Sequence, residues 1–143
     1  MSGTFSGVNT LQFTPDNKRC YAFSGSIGIG TSVQTLLEFS TNSEYIVATI
    51  GCCGPVNPAD IPSGSNSLFR IYLNDVVIAQ NKQGTATESQ PTFSEQTIII
   101  PPFSTVKIDN IDNSAAPDWK VQAYVTGTVH GTIEQFNLEL NNE

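Results

Sequence analysis

Apolar and polar side chains alternate with period two through most of this chain, and helical spacing is almost absent. That pattern confines the fold to paired strands with one buried face. The longest example, Trp119–His130, sets Trp119, Val121, Ala123, Val125 and Val129 against Lys120, Gln122, Tyr124, Thr126, Thr128 and His130. Residues 19–24 and 33–39 read as the first strands. Glu44–Ile50 is apolar on both faces and is placed in the interior of a packed sheet. Ser67–Leu73 and Val76–Gln80 flank Asn74-Asp75, two residues that tolerate positive φ, so the spacing predicts a two-residue hairpin. Gln96–Ile100 ends at Pro101-Pro102, which cannot donate ladder hydrogen bonds, and Thr105–Asn110 follows. Gly51–Ser67, 81–95 and Asp109–Asp118 are expected to be loops, on their Gly, Pro, Asn and Ser content.

The expectation is an all-β fold: a single jelly-roll-like antiparallel β-sandwich of about eight strands. A length of 143 residues supports one such domain, assigned to 18–131. Residues 1–17 and the acidic 132–143 read as extended terminal arms. Their scattered apolar residues, Phe5, Leu11 and Phe13 at one end and Phe136, Leu138 and Leu140 at the other, gain little by folding alone. They are the expected anchors onto a neighbouring subunit.

Charge narrows the function. Six basic against thirteen acidic residues give a formal charge of −7, the wrong sign for neutralising nucleic-acid phosphates or docking on anionic lipid. The chain has no apolar run long enough for a membrane helix, and its first residues lack the basic and apolar regions of a secretory signal. Cys20, Cys52 and Cys53, an odd count with an adjacent pair, make a poor disulfide framework and are read as reduced thiols made in a cytosol. The other reading is a bridge from Cys20 to Cys52 or Cys53.

No constellation carries catalysis. His130, the only histidine, has no Gly-x-Ser-x-Gly elbow or other nucleophile context and is read as a surface or interface residue. Asp109, Asn110, Asp112, Asn113 and Asp118 offer hard oxygens, but without calcium-loop spacing they read as turn formers. Gly25, Gly28 and Gly30 lack the Lys-Ser/Thr and helix start of a phosphate loop. Tyr21, Phe93, Phe103 and Trp119 could stack on sugar rings from loops, although a Trp opening a long strand more often packs. The chain is therefore expected to be non-enzymatic, with no cofactor and no metal.

The order of Ser67–Gln80, Ile98–Ile108 and Trp119–Gly131 resembles the small jelly-roll proteins carried on virions, especially the capsid decoration proteins of tailed phages. The resemblance covers about residues 19–131. It implies a structural protein on the capsid exterior of a virion, made in the host cytoplasm, that binds the major capsid protein and is often a homotrimer. Two other readings fit a compact sandwich: a carbohydrate- or receptor-binding module of a viral fibre, and a tumour-necrosis-factor-like trimeric ligand.

Overall fold

The computed structural model describes residues 11–14, 18–28, 31–54, 66–84, 92–112 and 120–131. Ten strands run through them: β1 Gln12–Phe13, β2 Arg19–Phe23, β3 Ile27–Gly28, β4 Gln34–Ser40, β5 Ile46–Gly54, β6 Asn66–Leu73, β7 Val76–Gly84, β8 Thr92–Ile100, β9 Thr105–Asp112 and β10 Lys120–Val129. The larger sheet has the order β1-β2-β10-β5-β8, with β3 also paired to β10, and the smaller has β4-β9-β6-β7. All pairings are antiparallel. Leaving out the two-residue β1 and β3, eight long strands form two four-stranded sheets, and the chain crosses between them after every long strand except β6. That is the jelly-roll order.

The core lies between the sheets because each strand turns its alternate apolar residues inward. Ile46, Ala48 and Ile50 of β5 and Val121, Ala123 and Val125 of β10 face Leu37, Phe39, Phe69, Ile71, Val106 and Ile108 of the smaller sheet. A bulge between Thr35 and Leu37 puts both Leu36 and Leu37 into this core. The β6–β7 hairpin turns at Asn74 (φ 50°) and Asp75 (φ 67°), as the sequence predicts.

Three stretches expected as loops are strands, at least in part. Gly51–Gly54 continues β5, with the Tyr124 ring laid over Gly51, where a Cβ would fall inside that ring. Asn81–Gly84 and Thr92–Glu95 lengthen β7 and β8. Both are edge strands, so polar side chains there do not end the ladder. Asp109–Asp112 belongs to β9, where Asp109 and Asn110 are buried. The strand persists because Arg70 on the neighbouring β6 neutralises Asp109 and the Ser67 hydroxyl meets Asn110.

Leu11 lies in the chain's own core, 4% exposed, and Phe13 packs against it while β1 pairs with β2. These two side chains are thus occupied within the subunit. Phe5, Phe136, Leu138 and Leu140 lie outside the described residues, as does most of each arm.

At one end of the sandwich the connections are tight. The Thr41 hydroxyl donates to the Pro101 carbonyl (2.7 Å) and accepts from the Ser104 amide (2.9 Å). The Asn74 side-chain carbonyl takes the Thr105 amide (2.9 Å). Phe103 sits there at φ 55° and is 79% exposed, held by its amide donating to the Asn42 carbonyl.

Candidate functional site

The two sheets present very different outer faces. On the smaller sheet the outward residues include Glu38, Lys107, Tyr72, Arg70 and Asp109, and their charges are matched among themselves. Arg70 holds Asp109 by two parallel bonds, Nε to Oδ1 at 2.8 Å and Nη2 to Oδ2 at 3.0 Å. The Arg70 guanidinium lies 5.6 Å from the Tyr72 ring centre and Lys107 Nζ 4.4 Å from it, both favourable cation–π placements. Lys107 stands directly opposite Glu38 in the strand register. Hydrogen bonding to Asp109 pushes the Arg70 pKa further up.

The larger sheet differs. Its register aligns three rows of outward side chains across β2, β10, β5 and β8. The first is Arg19, Thr128, Val47, Ile99; the second Tyr21, Thr126, Thr49, Thr97; the third Phe23, Tyr124, Gly51, Glu95. Tyr21 is 53% exposed, Phe23 56% and Ile99 64%. Of these twelve positions only Arg19 and Glu95 carry charge, and they occupy opposite corners.

This face is also stiff. The Tyr124 hydroxyl donates to the Glu95 carboxylate across Gly51, which leaves room for the ring only because it lacks a side chain. Partial burial, together with that bond, pushes the Tyr124 phenol up to about 12, so it stays protonated. Thr49 and Thr97 share a hydroxyl bond at 3.3 Å, and Gln122 donates to the Ser26 hydroxyl at 3.0 Å. The arrangement can present a flat, hydroxyl- and aromatic-rich surface.

The remaining candidates from the sequence are placed as follows. Among the described residues none of the three cysteines forms a disulfide. Cys20 and Cys52 point into the core from β2 and β5, with β10 between the two strands, and Cys53 points outward and is half-buried. Burial pushes the Cys20 thiol up to about 11 and the Cys52 thiol up to about 12, which makes both poor nucleophiles. His130 stacks on Tyr45, ring centres 4.9 Å apart, and its amide donates to the Tyr45 carbonyl. Asp109 is committed to Arg70, while Asn113 and Asp118 lie outside the described residues. Tyr21 is on β2, within the strand expected at 19–24, rather than at a loop position for sugar stacking. Trp119 lies outside the described residues. Sequence reasoning missed the face as a unit because its rows are assembled from strands more than a hundred residues apart; only the Thr content of β10 and its Tyr124 hinted at it.

No protein-family model matches the chain, and no curated protein matches it. Among solved structures it is similar to dimeric latent PorU from Porphyromonas gingivalis, at 9% identity and a TM-score of 0.47 over 77% of this chain and 11% of that one. It is similar to a chain of the T13 IBDV viral particle, at 11% identity and 0.47 over 79% and 31%. A chain of the Bacillus endospore appendages, described as disulfide-linked pili, matches at 14% identity and 0.40 over 92% and 97%. The chain thus spans about a tenth of the first of these and about a third of the second. All three likenesses are too distant to carry a function to this chain.

Proposed function

We propose that this chain is a non-enzymatic structural protein of a virion that decorates or stabilises a capsid. It works by burying a strand face in a homo-oligomer and by extending a terminal arm onto neighbouring capsid subunits. The observation that carries this reading is the outer face of the larger sheet, where Tyr21, Phe23 and Ile99 are each more than half exposed. Large apolar side chains left this exposed at the margins of one face, around a threonine-rich centre, support a contact surface there. Phe103 supports the same reading. A bulky residue held at positive φ with its ring in water costs stability, which is tolerated where the side chain serves a contact. The capsid assignment within this reading rests on the resemblance of the sequence pattern over residues 19–131 to virion decoration proteins.

Many weak contacts made by copies linked to one another become strong in sum, which suits a protein arrayed on a shell. The test is co-sedimentation of the purified chain with emptied capsids of the particle that carries it, together with antibody labelling of intact virions. Saturable binding and surface labelling are expected. Removing residues 132–143 is expected to weaken binding at least tenfold while the β-type circular dichroism is kept. A chain absent from virions and indifferent to capsids sinks the reading.

A further inference from the structure

We infer that the outer face of the β2–β10–β5–β8 sheet is a two-fold interface with a second copy of this chain, in which Arg19 of each copy meets Glu95 of the other. The inference rests on the assembly reading above and specifies which face is buried and how.

The geometry selects the arrangement. Neighbouring strands lie about 4.8 Å apart and outward residues on a strand about 6.8 Å apart, so three strand steps and two residue steps both span about 14 Å. Arg19, Phe23, Glu95 and Ile99 are therefore the corners of a near-square, with Arg19 diagonal to Glu95 and Phe23 diagonal to Ile99. Two copies that bury the same face symmetrically meet about a two-fold axis lying in the interface. With the axis along the strands, Arg19 meets Ile99 and Phe23 meets Glu95. With the axis across the strands, Arg19 meets Phe23 and Glu95 meets Ile99. Both set a charge against an apolar side chain. An axis on the Arg19–Glu95 diagonal stacks like charge on like.

The remaining axis runs along the Phe23–Ile99 diagonal. It pairs Phe23 with Phe23, Ile99 with Ile99, and each Arg19 with the other copy's Glu95. Tyr21 then comes over the Tyr124–Gly51 step. Strands of the two copies cross at nearly a right angle, which is one of the two ordinary ways for sheets to pack. Opposite charges at the corners of this twelve-position block favour one register and disfavour the other arrangements; Lys120, exposed on the same side of β10, lies two rows beyond it. On the smaller sheet Arg70 and Asp109 already satisfy each other, so its exposed β7 residues Val76 and Ile78 lack a free charge pair of this kind to set a register.

The interface is small, which places it among weak, transient contacts, so dissociation in the high micromolar range is expected. Sedimentation equilibrium of the full chain at moderate salt is expected to give a monomer–dimer equilibrium. Arg19→Glu alone and Glu95→Lys alone each place like charges at both corners, and each is expected to weaken the dimer at least tenfold. An equimolar mixture of the two variants restores both pairs, so a heterodimer of wild-type affinity or better is expected. This mixing result does not depend on either variant dimerising alone, and circular dichroism confirms that each is folded. A monomer at several hundred micromolar overturns the inference. So does a three-copy mass, or a dimer indifferent to both reversals and to mixing. Capsid binding by a persistent monomer overturns the inference and leaves the decoration reading standing; a dimer that ignores capsids does the reverse.

Discussion

The two outer faces come from the same kind of sheet, four antiparallel strands in one sandwich. On one the central charges pair with each other, although Val76 and Ile78 leave its β7 edge apolar and exposed; on the other the two charges stand at opposite corners. On the smaller sheet a carboxylate that is 3% exposed is held by a guanidinium that is 24% exposed, and Tyr72 lies beneath two cations. On the larger sheet the aromatic residues stand in solvent and the two charges have been pushed to opposite corners. Charge pairing inside one subunit removes those charges from the set available for contact. Charges with no ion-pair partner at the corners of a face, such as Arg19 and the Tyr124-bonded Glu95, keep that face open to an opposite charge.

The largest effect expected on folding comes from breaking the charge-paired face. Arg70→Ala leaves Asp109 buried without its partner, which costs about 2–3 kcal/mol given that removing one member of a buried pair strands the other. The midpoint of thermal unfolding is expected to fall by roughly 5–10 °C for a domain of this size. Dimerisation is expected to be unchanged, since the residue is on the opposite side of the sandwich. A stability within about 0.5 kcal/mol of wild type, the usual scatter for surface substitutions, would show that the pair is not what closes this face.

Next in size is the step that stiffens the open face. In Gly51→Ala the added methyl collides with the Tyr124 ring, which must swing away and release Glu95. Overpacking of this kind costs about 1–2 kcal/mol. Because the clash needs both partners, Gly51→Ala should cost much less in a Tyr124→Ala background, a coupling that a double-mutant cycle in urea measures directly. Additive effects would mean that the glycine is there for another reason.

How much of this was legible in the sequence follows from the range of the interactions. The alternation in β10 and the Asn74-Asp75 turn depend on neighbours in the chain, so the all-β sandwich and its hairpin could be read from them. Gly51 and Asp109 could not be placed, because each is held in its strand by a residue distant in sequence, Tyr124 and Arg70 respectively. A glycine looks like a turn, and an Asp-Asn pair looks like a loop, until the cross-strand partner is known. The same holds for Leu11, whose apolar isolation suggested an outward anchor and whose burial places it in its own core.

The thiols compare the two sides of the larger sheet. Cys20 and Cys52 lie behind it and Cys53 lies on its outer surface. The folded state holds the first two protonated to about 11 and about 12, whereas the unfolded chain releases those protons nearer 9. Stability is therefore fully present below about pH 9 and is lost as the pH rises toward those values, at about 1 kcal/mol per pH unit for each thiol. Tyr124 adds a loss of the same sign above about pH 10. Urea midpoints between pH 8 and 11 are expected to decline, and the Cys20→Ala, Cys52→Ala double variant to decline less. At pH 8 the native protein is expected to take one equivalent of an alkylating reagent, at Cys53.

The smallest effect on the folded subunit is the one that separates the faces most sharply. Phe23→Ser removes a ring that is already 56% exposed, so in dilute solution it is expected to change stability by less than about 0.5 kcal/mol. Tyr72→Ser, on the charge-paired face, loses its packing and both cations and is expected to cost about 1 kcal/mol. Concentration then tells the two apart. A two-fold contact through Phe23 stabilises the native state by mass action, so the wild-type melting temperature should climb as protein is raised from micromolar to hundreds of micromolar. In Phe23→Ser that climb should vanish, and in Tyr72→Ser it should persist from a lower starting point. If both variants keep the climb, the copies meet through some other surface, and the exposed ring at position 23 has no part in holding them together.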